Sequence, residues 1–259
     1  MTIDIDAYLK RIGHAGSRAP TTDTLRSLQR AHLLAVPFEN LDINPGGRPI
    51  SLIVDSIFDK VVRRHRGGFC YELNGLFAVL LEELGYDVTR ISGRVARGNG
   101  TFGPDFDHLA LVVRTGDGAH LTDVGFGDFA LGPLDLAVEG PQEPHPGGTA
   151  YRLDTLGDGE WVTRSLTDAG GWDDGYRFDL TPRELTAFAA QCRWFESAED
   201  SHFRARRVCS IATENGRVTL RDAELIVTRG GAREITPISG EGEWTAALEK
   251  WFGIRLTAN

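Results

Sequence analysis

The sequence predicts an α+β fold, and three observations carry that reading. Apolar residues recur at helical spacing through the first third of the chain. From about residue 87 the texture changes to short β-rich runs parted by Gly, Pro and Asp clusters, the pattern of an antiparallel sheet or barrel. The last stretch mixes strand-like runs with a closing amphipathic helix.

Taken in order, Ile5, Tyr8, Leu9 and Ile12 line one helical face, and Gly13 is a plausible stop. Thr22 precedes a second helix through Leu25, Leu28 and Leu33 that ends near Pro37. Ser56 with Asp59 has the form of a capping box ahead of Val61 and Val62. Leu73, Leu76, Phe77, Leu80, Leu81 and Leu84 mark the strongest helix, with Gly85 just after it. Strands are expected at 87–95, 108–114, 121–124, 151–156, 161–166 and 176–180, with a loop at 139–148. A helical stretch follows at 182–192, then strands at 207–211, 217–220 and 225–229, then a helix through Trp244, Leu248, Trp251 and Phe252.

A chain of 259 residues, 41% hydrophobic and 25% charged, buries a core without staples. A net charge of −9 argues against a general nucleic-acid binder. Cys70, Cys192 and Cys209 make neither a disulfide framework nor a CxxC zinc site, so no metal and a reducing, cytoplasmic setting are expected. The first ten residues carry charges in place of an apolar leader, and the apolar run at 76–81 is far short of the ~18 residues that span a bilayer. No membrane partner is expected. The charge is uneven: 8 basic and 19 acidic residues in 93–200, against 9 and 7 in 201–259. A polyphosphate ligand should avoid the middle segment, although acidic residues that merely solubilise a sheet give the same pattern.

The segment from Arg66 through Gly67, Gly68, Phe69, Cys70, Tyr71, Glu72 and Leu73 to Asn74 stands out. Its glycines permit a tight path, and the strongest helix begins beside Cys70. Unpaired amides and the positive dipole end of that helix favour a thiolate there. An inert buried cysteine is the competing reading. A thiolate nucleophile needs a base and a group that orients the base. Of seven histidines, His108 opens a strand that turns at Gly116–Asp117 and returns through Asp123. With an even loop, paired residues place His108 and Asp123 as diagonal neighbours on one face, about 7–8 Å apart at Cα. An odd loop separates them.

These residues are where a family resemblance becomes plain. Val36-Pro37-Phe38-Glu39-Asn40-Leu41-Asp42, the segment 66–74, and His108 with Asp123-Val124-Gly125-Phe126-Gly127 together resemble the arylamine N-acetyltransferases in order and spacing. The resemblance implies a helical bundle over 1–86 carrying Cys70, a β-barrel over 87–198 carrying His108 and Asp123, and an α/β lid over 199–259. It implies a cysteine-protease-like Cys-His-Asp core, acetyl-CoA as co-substrate, and an arylamine, arylhydroxylamine or aryl hydrazine as acceptor. It further suggests Phe38, Phe126 and Phe203 as an acceptor pocket. Gly125 and Gly127 would lie against the pantetheine arm. Glu39 is expected to pair with Arg66, and Arg204, Arg206 and Arg207 to meet coenzyme phosphates. A related thiol acyltransferase or amide synthase, a transglutaminase-like hydrolase and a non-catalytic binding module are the rival readings.

Overall fold

The computed structural model describes residues 2–44, 47–143 and 149–256; the end of the expected loop, 144–148 with His145, lies outside the described residues. Helix α1 (Ile5–Arg11) is capped by the Asp4 carboxylate on the Ala7 amide at 2.9 Å. Helix α2 (Thr22–Ala35) takes its cap from Thr21, one residue before the expected threonine. Strand β1 (Phe38–Glu39) follows. Helix α3 (Val54–Phe58) then runs into a π-helical turn, Asp59–Arg63. The capping box expected at Ser56 and Asp59 is not formed. The helix starts earlier, with Ile53 as N-cap and Asp55 supplying the first-turn charge, so Ser56 lies within it and Asp59 pairs with Arg64 at 2.8 Å. Helix α4 (Cys70–Glu83) is the longest apolar element, buried from Cys70 through Leu81. Tyr8, Leu25, Leu28, Phe77 and Leu80 are among the fully buried residues that join these helices in one core.

Seven antiparallel strands form the second region: β2 (Asp87–Val95), β3 (His108–Thr115), β4 (Gly118–Thr122), β5 (Leu134–Asp135), β6 (Tyr151–Gly157), β7 (Glu160–Leu166) and β8 (Trp172–Phe178). Their order is β5-β4-β3-β2-β8-β7-β6. The sheet curls into a nearly closed barrel, and Gln142 stitches its two edges. Its backbone pairs with Tyr151, while its side chain bonds the Asp135 amide at 2.8 Å and the Asp135 carbonyl at 2.9 Å. Strand β3 is buried on both faces. Leu109, Leu111 and Val113 pack on the helical core, and Ala110 and Val112 fill the barrel with Ile91, Leu121, Tyr176 and Phe178. The β3–β4 hairpin pairs Thr115 with Gly118 and Leu111 with Thr122, so its loop has two residues and the even register holds.

A 3-10 turn (Leu185–Phe188) and α5 (Ala189–Ser197) return to the helical core through Phe188, Cys192 and Phe195. After the short α6 (His202–Ala205), strands β9 (Val208–Thr213), β10 (Gly216–Arg221), β11 (Glu224–Arg229) and β12 (Ala232–Pro237) form a second sheet. Strand β1 joins its edge, pairing Phe38 with Ser210. Helix α7 (Gly240–Phe252) covers that sheet with Trp244, Leu248 and Phe252. Among the described residues, no helix is long and apolar enough to cross a membrane.

Candidate active site

Cys70 is the first residue of α4. The path to it is set by close approach: a Cβ on Gly67 would lie 2.0 Å from the Pro37 carbonyl oxygen, and one on Gly68 would lie 2.8 Å from Glu72 Oε2. Glu72 Oε2 accepts the Phe69 amide at 3.1 Å, half of a capping box at the start of the helix. Arg66 donates to Glu39 Oε1 at 2.7 Å, as the sequence suggested, and also to Asp42 at 3.2 Å.

His108 and Asp123 meet as the hairpin register requires. The expected strand at 121–124 stops at Thr122, so Asp123 opens the loop that follows. Nε2 of His108 lies 2.7 Å from Asp123 Oδ2, with both side chains buried. Asp123 is held by four donors. Oδ2 also accepts the Tyr176 hydroxyl at 3.0 Å, and Oδ1 accepts Asn74 Nδ2 at 2.8 Å and the Gly125 amide at 2.8 Å. Burial pushes this carboxyl up, but the His108 charge and the bonds from His108, Asn74 and Gly125 win and hold it below its ordinary value. Asp123 is therefore an anion at neutral pH. It keeps the His108 proton on Nε2 and leaves Nδ1 as the basic atom.

Asn74 closes the segment that stands out in the sequence, but no role was expected of it or of Tyr176. Asn74 sits one helical turn beyond Cys70, so the i, i+4 spacing was the available signal. It bonds the Leu109 carbonyl at 2.7 Å and accepts the Val124 amide at 2.9 Å, tying α4 to both ends of the hairpin. Tyr176 lies inside a strand that begins at Trp172, four residues before the expected start. Nothing local in the sequence pairs it with Asp123.

Burial pushes the Cys70 thiol well above its ordinary value; a backbone hydrogen bond from Leu109 lowers it, and Asp123 and Asp107 raise it further. This modifies the expectation of a thiolate favoured by the helix start alone. A lone anion is disfavoured here, so a thiolate needs its proton kept alongside, on the imidazole. Among the described residues Cys70 Sγ makes no hydrogen bond to His108, whose Nε2 is turned to Asp123. Cys192 and Cys209 are buried free thiols, both pushed up by burial.

The three phenylalanines are half-buried but do not form one cluster. Phe38 and Phe203 face each other at 6.2 Å, and Phe203 also meets Phe69 at 6.1 Å. Asn40 places this pair by donating to the Phe203 and Arg206 carbonyls at 2.9 and 2.7 Å. Phe126 stands on the barrel side, 5.1 Å from both His108 and Tyr176. A Cβ on Gly125 would lie 2.8 Å from Cys70 Cα, so this glycine makes room for the protein itself. Gly127, at φ +90, lies beside the Phe38 ring.

A cavity of about 780 Å³ opens between the barrel and the second sheet, lined by Asp128 and by Arg217, Arg221, Arg229 and Arg233. Of the arginines expected to meet phosphates, Arg207 is engaged elsewhere: it pairs with Asp222 and Glu241, both at 2.9 Å, and stacks on Trp244. Arg204 donates to the Ser197 carbonyl at 2.7 Å.

Residues 21–259 match a family model described as N-acetyltransferase. An arylamine N-acetyltransferase of Mycolicibacterium smegmatis is 35% identical, covering 99% of this chain and 94% of the relative. The solved structure of the Mycobacterium marinum arylamine N-acetyltransferase in complex with CoA is 33% identical with a TM-score of 0.88, covering 97% of this chain and 93% of that one. The proansamycin X synthase of Amycolatopsis mediterranei is 32% identical, over 95% of this chain and 96% of the relative. By sequence along its whole length and by fold, the chain belongs to the arylamine N-acetyltransferase family.

Proposed function

We propose that the chain transfers the acetyl group of acetyl-CoA to the nitrogen of an arylamine, arylhydroxylamine or aryl hydrazine, through a thioester on Cys70. The observation that carries this is the Asp123 carboxylate, fixed by four donors, with His108 Nε2 on one of its oxygens. His108 Nδ1 takes the thiol proton as Cys70 Sγ attacks the acetyl thioester. The tetrahedral adduct collapses with departure of the coenzyme thiolate, which recovers that proton. One thioester replaces another at little thermodynamic cost. The arylamine then attacks the acetyl carbonyl, His108 takes its proton, and the Cys70 thiolate leaves. Amides near the start of α4 would stabilise the oxyanion.

The loop from Gly125 against Cys70 to Asp128 at the cavity wall leads from the thiol to the arginines. The coenzyme polyphosphate would lie on Arg229 and Arg233, while Arg217 is paired with Asp128 at 3.0 Å and Arg221 with Glu224 at 3.2 Å. Phe38 and Phe203 on one side and Phe126 on the other would flank a flat, uncharged amine. A cationic alkylamine would lose hydration there without compensation. The three units 1–86, 87–198 and 199–259 would divide the labour as bundle, barrel and lid, knitted together by β1 and α5. The three free cysteines fit a cytoplasmic location.

The likeness to a relative with a different name, a proansamycin X synthase, favours a second reading: a related thiol acyltransferase or amide synthase in which Cys70 serves another acyl donor or acceptor. Incubation with acetyl-CoA separates these readings. Release of free coenzyme thiol that requires an aryl amine or hydrazine supports acetyl transfer. Release with water as the only acceptor would show a hydrolase, and no turnover of acetyl-CoA would favour another donor.

A further inference from the structure

Lys60 lies in the π-helical turn, and it is buried. Its Nζ is 2.8 Å from Asp42 Oδ2, 2.8 and 3.0 Å from the two oxygens of Glu72, and 3.9 Å from Glu39 Oε1. Burial pulls the ammonium's pKa down, but Glu39, Glu72 and Asp42 more than compensate, so it stays charged. Its backbone carbonyl accepts the Arg66 amide at 3.0 Å. Lys60 therefore grips the segment leading to Cys70 at both ends. The carbonyl holds its entry at Arg66. The ammonium holds its exit through Glu72, whose Oε2 receives the Phe69 amide at 3.1 Å. Gly68 has no side chain where Glu72 passes, because a Cβ would lie 2.8 Å from Oε2.

A buried charge knot of this kind is a poor device for stability alone. Removing two charged groups from water is costly, and well-packed apolar residues of the same volume commonly stabilise as well or better. What apolar residues cannot do is hold a carboxylate on the Phe69 amide. π-Helical turns also concentrate near functional sites. We propose that Lys60 is a positioning residue for the acyl transfer: by holding Glu72 on the Phe69 amide it fixes the first turn of α4, and with it the direction of Cys70 Sγ toward His108. This inference rests on the reading of Cys70 as the nucleophile.

The test uses the full-length protein and iodoacetamide as the probe of Cys70, followed by peptide mapping across pH. In the wild type, neutral-pH alkylation of Cys70 should depend on His108. In Glu72→Gln and in the double variant Lys60→Met with Glu72→Leu it should fall about tenfold or more, with the pH profile moving up toward that of an ordinary thiol. The double variant should still fold cooperatively, since one positive and one negative charge leave together and Arg66 remains on Glu39 and Asp42 at 2.7 and 3.2 Å. Single-turnover acetylation by p-nitrophenyl acetate should fall in parallel. A double variant that melts cooperatively and keeps a wild-type alkylation profile would overturn the proposal. If the wild type alkylates in a His108-dependent way yet forms no acetyl-Cys70, the acyl-transfer reading fails, while the alkylation profiles still decide the role of Lys60.

Discussion

Asn74→Ala removes three buried hydrogen bonds at once, and the outcome can be worked from their partners. Nδ2 donates to Asp123 Oδ1 at 2.8 Å and to the Leu109 carbonyl at 2.7 Å, and Oδ1 accepts the Val124 amide at 2.9 Å. A bond to a charged group is worth about 1.5–3 kcal/mol and each neutral one about 1 kcal/mol, so the loss should be about 4 kcal/mol. That is a large share of a domain stability of about 5–15 kcal/mol, yet the variant should still fold in the cold. Its urea midpoint should drop with an unchanged denaturant slope. The kinetic effect comes from position. Asn74 ties α4, which carries Cys70, to β3 and to the start of the Asp123 loop. A shift of about 1 Å between nucleophile and base costs on the order of a hundredfold. Single-turnover acetylation should fall by about that factor, with little change in KM for the arylamine. Stability within about 1 kcal/mol of wild type, together with acetylation within about threefold, would refute the claim that Asn74 sets the geometry.

Phe203→Ala should raise KM for an aryl amine about tenfold while leaving acetylation of Cys70 by acetyl-CoA nearly intact, given ring contacts worth about 0.5–1.5 kcal/mol each; equal loss in both half-reactions would place Phe203 on the coenzyme path. Arg229→Ala with Arg233→Ala should raise KM for acetyl-CoA and leave acylation by p-nitrophenyl acetate unchanged; a parallel loss with both donors would move the polyphosphate elsewhere. His32 is buried against the Tyr8 hydroxyl at 3.0 Å, and burial aided by the Arg11 charge pushes its pKa from 6.5 down to about 3. The unfolded chain takes up that proton near pH 6.5 and the folded chain only near 3, so its stabilising contribution is complete above 6.5 and is lost as pH falls toward 3. His32→Gln should flatten the fall in urea midpoint between those limits, and parallel curves would contradict the assignment.

Much of the site was legible because its signals are local. The Gly116–Asp117 turn determines which residues of β3 and β4 oppose each other, and parity alone puts His108 and Asp123 on one face. The glycines ahead of a strongly periodic helix mark Cys70 as its first residue. What stayed hidden depends on chain segments far apart in sequence. Tyr176 reaches Asp123 across 53 residues, and Asn74 across 49. Lys60 reads as a surface lysine until the π-helical turn directs it inward among three carboxylates. Strand β12 went unseen because all six of its residues are exposed, so it shows no apolar alternation. Ser56 misled because a capping pattern within a helix looks the same in sequence as one at its start.

The most direct test of the account is intact-mass analysis after exposure to acetyl-CoA alone, with no acceptor present. The wild type should gain one acetyl group, located on Cys70 by peptide mapping and discharged when an aryl amine is added. Cys70→Ala should gain none, and His108→Ala should acquire it far more slowly. An acetyl group that persists in Cys70→Ala, or that maps to Cys192 or Cys209, would contradict the assignment of Cys70 as the nucleophile.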